Sequence, residues 1–268
     1  MVITFGRHPR EVICPDWHPQ LLSTPKEKAW LLLQTGVDRL VVLDFDKEMS
    51  LLSARAFMEQ VLAEQLGVRL LLTGYDNHFG HREKGVDEGF AEYVGYGREL
   101  GIDVVGAEPL ADGSFRFSSS LARRLLAEGD VAGARHCLGR PYSLVGTVVH
   151  GRQIGRQMGF PTANVVPDNM LKIVPRAGVY AVMVSTDYEQ GQPLQGMMNI
   201  GRRPTFDGLD TTLEVHLFDY EGNLYGHTVT IDFMKRLRDE QHFDSPDELA
   251  LQMRRDEEMS RRILNNVT

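Results

Sequence analysis

The chain has 268 residues, 42% apolar and 25% charged, a composition suited to one large or two ordinary globular domains. Its net charge of −8 argues against non-specific binding to nucleic acid or anionic membrane, and no apolar run is long enough to span a bilayer. The two cysteines, Cys14 and Cys137, form no CxxC pair, which points away from a disulfide framework or zinc site and toward reduced thiols in the cytoplasm.

The start, VITF (Val2 to Phe5), is unlike a signal peptide and reads directly as a strand. Pro25 to Gly36 predicts a helix, with Pro near its start and Gly at its end. Leu40 to Leu43 follows as an apolar strand, and Ser53 to Leu66 as a helix carrying Phe57, Val61 and Leu62 at helical spacing. Val68 to Leu72 and Ile102 to Val105 are further apolar strands, separated by a helix at Phe90 to Leu100. Short apolar strands alternating with helices predict a parallel sheet covered on both faces. Two helices come next, at Ser118 to Glu128 and Val131 to Leu138.

From Leu144 the pattern changes to strands separated by glycine-rich or polar turns. They are Leu144 to Val149, Val179 to Ser185, Gln195 to Ile200, Thr212 to Phe218 and Tyr225 to Phe233. This is the pattern of a small antiparallel barrel. A helix from Ser245 to Leu264 closes the chain, opened by Ser245-Pro246-Asp247-Glu248 with an N-cap, Pro at the first helical position and early acids. Arg254, Arg255, Arg261 and Arg262 alternate there with acids and read as a solvated helix face.

The segment GRQMGFPTAN (Gly155 to Asn164) carries turn residues and reads as a loop. Gly146, Gly151, Gly155 and Gly159 are spread along the strand-to-loop passage around it, and glycines let backbone N–H groups approach a phosphate. No Gly-Lys-Ser/Thr follows, so this is not a Walker loop. Thr162 and Asn164 offer two neutral oxygens on one side of an extended segment, the ligand type magnesium takes; the alternative is a turn whose side chains bond their own backbone. In TLEVHLF (Thr212 to Phe218), Leu213, Val215 and Leu217 share one face, Glu214 and His216 the other. On spacing alone Glu214 is an ordinary solvated acid. If that face lines a pocket, its carboxylate can take a proton from a substrate hydroxyl.

GRQMGFPTAN, GVYAVMV (Gly178 to Val184), MNIGRRPTF (Met198 to Phe206), LEVHLFDY (Leu213 to Tyr220), LYG (Leu224 to Gly226) and RLRDEQHFDS (Arg236 to Ser245) occur in this order. Together they resemble the riboflavin kinase module of the bacterial bifunctional riboflavin kinase/FMN adenylyltransferases, the FAD synthetases. The resemblance implies a six-stranded barrel that moves the γ-phosphate of ATP to the 5′-hydroxyl of riboflavin. It implies that Thr162 and Asn164 hold Mg²⁺ and the ATP phosphates and that Glu214 is the general base. It puts Gly146, Gly151 and Gly155 along the nucleotide, Asn199 and Arg202 near the site, and Arg236, Arg238, Glu240 and Phe243 around the isoalloxazine ring.

The first half is similar to the adenylyltransferase module of the same family. VITFGRHP (Val2 to Pro9) resembles its second strand and the turn after it, and LTGYDNHFGHREKG (Leu72 to Gly85), with Asp76, resembles its flavin-site loop. FSSSLARRLL (Phe117 to Leu126) resembles the SSTxIR motif, which implies phosphate contacts for Ser119, Ser120 and Arg123; a third Ser stands for the usual Thr, and Ala122 for Ile. The string HFGH (His78 to His81) lies inside the flavin-loop match and is read with it, not as the family's FDGxHxGH turn. No such turn precedes VITF, so the expectation is an α/β nucleotidyltransferase-like, Rossmann-like module at 1–133 without its central first strand, with impaired FAD synthesis, followed by a kinase barrel and helix at 134–268. Implied ligands are riboflavin, FMN, ATP and Mg²⁺. Three alternatives stand beside this: a flavin-binding or regulatory protein without turnover, an adenylyltransferase carrying an inert barrel, and a nucleic-acid-binding barrel. The net charge and the lack of a basic stripe interleaved with aromatics count against the last.

Overall fold

The computed structural model describes residues 1–14, 16–74, 78–81, 88–113, 115–151, 159–187, 191–205 and 208–266, with the side chains of residues 115, 202–205 and 208–210 left aside. Gly155 and Asp76 lie outside the described residues, and Arg202 is described in its backbone only. The chain forms two compact units, one of Met1–Pro19 with Ser23–Arg116, the other of Gln20–Leu22 with Phe117–Thr268. The expected module division at 133/134 falls inside the second unit.

In the first unit, β1 (Val2–Phe5) pairs in parallel with β2 (Leu40–Leu43), and β3 (Leu70–Thr73) with β4 (Asp103–Gly106). The parallel sense is as expected; among the described residues the strands do not join into a single sheet covered on both faces. The strands form separate two-stranded ribbons, and Val42, Leu70, Leu72 and Val105 are exposed. Cover exists on the other face of the β3–β4 ribbon: Leu71 and Val104 pack toward a core built on Met58, Val61, Leu62, Tyr93 and Ile102. Helix α1 (Pro9–Ile13), α2 (Pro25–Gln34) and α3 (Lys47–Leu51) precede α4 (Ala54–Phe57), which continues into wider π-helical turns over Met58–Gln65. α5 (Phe90–Leu100) follows. The sequence reading lacks α1 and α3, five residues each and too short to show a hydrophobic period. It also lacks the small hairpin of β5 (Ala111–Asp112) and β6 (Phe115–Arg116).

The second unit opens with α6 (Ser119–Glu128) and α7 (Val131–Leu138), each begun by a side-chain cap: Ser118 Oγ accepts from Leu121 N and Asp130 Oδ1 from Gly133 N. Six strands then close an antiparallel barrel: β7 (Tyr142–Val149), β8 (Ala163–Pro167), β9 (Gly178–Thr186), β10 (Leu194–Thr205), β11 (Gly208–Leu217) and β12 (Thr228–Arg238). Around the barrel the order is β10-β11-β8-β7-β12-β9. Alternation sends Tyr142, Leu144 and Val148, Tyr180, Val182 and Val184, and Leu213, Val215 and Leu217 inward to one core. α8 (Pro246–Asn265), capped by Ser245, lies on the outer face. There its Leu264 packs with Phe160, Ala181, Met197, Phe218 and Met234.

β8 is the strand missing from the pattern-based reading. It is five residues long and begins at Ala163, inside the segment read as a loop. A close approach explains one glycine nearby: a Cβ on Gly146 would stand 2.5 Å from the Val166 carbonyl oxygen of β8. Gly146 therefore lets β7 and β8 come together within the barrel.

One charge is held at some cost. Asp232 on β12 stands opposite Ser143 on β7, whose hydroxyl donates to it at 2.6 Å. Burial pushes the Asp232 carboxyl above the usual Asp range, with Ser143 and Arg140 opposing this. A raised native pKa means that stability from this group is complete with the carboxyl protonated and is lost as pH rises through the native value. Asp232→Asn is accordingly expected to melt at a higher temperature than the parent at neutral pH. The gain should disappear below about pH 4, the ordinary Asp value; thermal melts at both pH values check this.

Candidate active site

The barrel register builds the site. Glu214 on β11 pairs with Asn199 on β10 and with Asn164 on β8; Asn199 pairs onward with Val179 on β9, which pairs with Arg238 on β12. Cross-strand partners share a face, so Arg238, Val179, Asn199, Glu214 and Asn164 form one row across the outer surface. His216 and Met197, partners in the next outward-facing row, extend it. The expected split of β11 into an apolar and a polar face is observed, with the apolar face inward.

Apart from Asn164, this row lines a cleft of about 310 Å³, roofed by Leu249, Met253 and Asp256 of α8 and by Glu240, Gln241 and Phe243 of the connection before it. A second cleft, about 610 Å³, opens between the start of β8 and the segment Tyr220 to Tyr225. Beside it the His150 and Tyr225 rings stack with centroids 3.8 Å apart. Thr162 lines both clefts. Its Oγ1 lies 3.5 Å from Glu214 Oε2.

Glu214, Thr162, Asn164, Asn199, Arg238, Glu240 and Phe243 are therefore brought together around these clefts or in the row that floors the first. Gly151 belongs with them: a Cβ there would stand 1.9 Å from the Asn164 amide nitrogen, so the bare backbone makes the space the amide fills. Arg236 is not brought in. A bulge separates it from Arg238, and it pairs with Tyr180, whose ring faces the core, whereas Arg238 pairs with Val179 of the cleft. The Arg236 guanidinium donates to the Ala177 carbonyl and to Asp239, both at 2.6 Å. Ser119 and Ser120 are exposed on the first turn of α6, and Arg123 Nε donates to the Gln20 carbonyl at 2.9 Å.

Asp256 is the main residue that sequence reasoning missed. It is buried on α8 and accepts from Arg238 Nε and Nη2 at 3.0 and 2.7 Å through one oxygen. Gln252 Nε2 donates to its other oxygen at 2.9 Å. The signal was an acid on the stripe Leu249, Met253, Asp256, Ser260, Leu264, where helical spacing otherwise puts uncharged residues. Arg254 and Arg255 are exposed, as the solvated-face reading expects, but Arg261 binds Asp219 at 2.7 Å and lies 4.6 Å from the Phe218 ring centroid.

Chemically, one carboxylate beside two neutral side-chain oxygens suits a magnesium ion that completes its shell from phosphates and water. Among the described residues no group of three or more His, Cys, Asp or Glu gathers as a metal site. No described helix is long and apolar enough to cross a membrane.

A riboflavin kinase family profile matches residues 138–264, and an FAD synthetase profile matches residues 1–121. The bifunctional riboflavin kinase/FMN adenylyltransferase of Escherichia coli (strain K12) is 38% identical over 257 residues, spanning 96% of this chain and 80% of that protein. The enzyme of the same name from Haemophilus influenzae is 35% identical over 265 residues, spanning 99% and 84%. A crystal structure named "macrolide-efflux protein from Streptococcus pneumoniae" superposes with a TM-score of 0.85 at 33% identity, covering 97% of this chain and 82% of that one. Two profiles in sequence and relatives matched over nearly the whole chain lead to one conclusion: the chain belongs to the family of bifunctional riboflavin kinase/FMN adenylyltransferases.

Proposed function

We propose that the barrel of this chain transfers the γ-phosphoryl group of ATP to the 5′-hydroxyl of riboflavin, and that the α/β module before it serves FMN adenylylation, the family's second reaction. Residues 134–268 are assigned to the kinase and 1–133 to the adenylyltransferase. The observation that carries the kinase reading is the meeting of two clefts at Thr162, beside Glu214. Phosphoryl transfer needs two substrates aligned across one reacting centre, and little covalent help from the protein.

Riboflavin takes the first cleft. Val179, Met197, Leu249 and Met253 give it apolar walls, and Phe243 gives an aromatic surface. ATP takes the second, where the His150–Tyr225 pair offers ring surface and Asn223 a polar side chain. The ribityl chain then reaches Glu214, whose carboxylate accepts the proton of the 5′-hydroxyl as its oxygen bonds to the γ-phosphorus and ADP departs. Asn199 and Asn164 flank that carboxylate in the same row and orient hydroxyl and phosphate oxygens. Thr162 and Asn164 would hold Mg²⁺ with the phosphates, and the ion when bound offsets charge on the transferring group.

The test is a product assay with the purified chain, riboflavin, ATP and Mg²⁺, separating riboflavin, FMN and FAD. FMN is expected, and FAD wherever the second reaction follows. Riboflavin bound but unchanged would favour the flavin-binding alternative. Thr162→Val keeps the shape and removes the hydroxyl, so loss of one charge-assisted contact of about 1.5–3 kcal/mol is expected. That is roughly a tenfold to hundredfold fall in kcat, with a higher Mg²⁺ requirement, read by titrating the metal in the same assay.

A further inference from the structure

We infer that His216 is a positioning residue of the kinase site: its imidazole Nδ1–H holds the carbonyl of Pro161 and so sets Thr162 against Glu214. The inference rests on the kinase reading above but on a different contact. His216 Nδ1 lies 2.7 Å from Pro161 O. His216 is 8% exposed and is held between Phe160 and Phe218, with ring centroids 5.4 and 5.8 Å away.

Chemistry assigns the hydrogen. A peptide carbonyl only accepts, so Nδ1 carries the proton whether the ring is neutral or charged. In the neutral ring this leaves Nε2 unprotonated.

Geometry gives the contact its consequence. The Pro161 carbonyl belongs to the planar peptide unit that ends in the Thr162 nitrogen. Turning that plane swings the Thr162 side chain, whose Oγ1 is 3.5 Å from Glu214 Oε2. Pro161 has a fixed φ and no N–H, so its carbonyl is the polar group through which the step can be pinned. On the other side, His216 sits two residues from Glu214 on the same face of β11. One strand thus carries both the carboxylate and the group that fixes the loop opposite it. Phe160 is buried at 6% exposure ahead of this step, so the entry into β8 is anchored by packing and by one hydrogen bond. A displacement of about 1 Å at a reacting centre is enough to lower a rate about a hundredfold.

The test compares His216→Asn, whose side-chain N–H₂ occupies the Nδ1 position, with His216→Phe, which keeps a ring and loses the donor. His216→Phe is expected to lower kcat at saturating riboflavin tenfold to a hundredfold, and because His216 also lines the riboflavin cleft the affinity is read separately by flavin fluorescence. His216→Asn should recover most of that loss. Equal losses in both variants, a change confined to riboflavin affinity, or parental turnover in His216→Phe would each overturn the inference while leaving the kinase reading in place. Failure of the unsubstituted chain to form FMN would instead sink the kinase reading. A second measurement stands apart from turnover and from the folding of variants: ¹H–¹⁵N spectra of the parent should show a slowly exchanging His216 Nδ1–H at pH 6 and pH 8. A proton found on Nε2 alone in the neutral ring would refute the contact.

Discussion

Glu214→Gln is expected to reduce FMN formation by about a hundredfold to ten-thousandfold, the usual contribution of a positioned general base. This equals about 3–5 kcal/mol of activation free energy. The substitution is nearly isosteric, so the row with Asn199 and Asn164 keeps its spacing. What disappears is the acceptor for the hydroxyl proton. The amide oxygen still accepts a hydrogen bond from the 5′-hydroxyl, and the apolar walls of the cleft are untouched; riboflavin affinity should therefore stay near the parental value. The pairing of results is the informative part. A solvated surface acid would lose nothing in turnover. A structural acid would lose stability and affinity together. Single-turnover assays with saturating ATP, combined with a fluorescence titration of riboflavin, separate the three. Turnover within threefold of the parent would remove Glu214 from the proposed mechanism.

Much of the barrel could be read along the chain because its signal is local. Leu213, Val215 and Leu217 alternate with Glu214 and His216, and the three apolar residues join the barrel core while His216 is buried outside it, against Phe160 and Phe218. β8 was hidden for the opposite reason. It pairs with β7 through Asn164 to Pro167 and with β11 through Ala163 and Asn164, in both cases with residues outside its own short run, and the glycines and proline before it spell a turn. The motif singles out Thr162 and Asn164 as candidate ligands, while the strand that carries Asn164 depends on pairing that no local pattern encodes. Arg236 and Arg238 show a finer limit. Both belong to one basic segment, and a bulge sends one to the core end of the barrel and the other to the cleft. No spacing rule announces a bulge. In the first unit the parallel pairing was legible in the apolar runs, but the separation into two ribbons depends on which strands meet, which local pattern does not encode.

Asp256→Ala is expected to destabilise the chain by about 3–5 kcal/mol, the effect of stranding a buried charge. The Asp256 side chain is 4% exposed and that of Arg238 17%, so the pair is screened far less than a surface bridge. The guanidinium makes two bonds to one carboxylate oxygen and a longer one of 3.2 Å to the other. Without the acid it keeps the Asp239 carbonyl at 3.0 Å and the Phe243 ring at 5.8 Å, neither of which replaces a counter-ion. Because Arg238 ends β12 and Asp256 lies on α8, this pair joins barrel and roof; its loss should weaken riboflavin binding as well as folding. Replacing both charges gives the sharper comparison. In Arg238→Met/Asp256→Leu the buried charges go together, and apolar volume fills the gap, so the double variant should unfold at a higher denaturant concentration than Asp256→Ala. Its flavin affinity should still be low, since Arg238 lines the cleft. Denaturant melts of the parent, Arg238→Met, Asp256→Leu and the double variant complete the cycle. Additive losses in that cycle would mean that the two side chains act independently and that the roof is held by the apolar contacts of Leu264 and its neighbours alone.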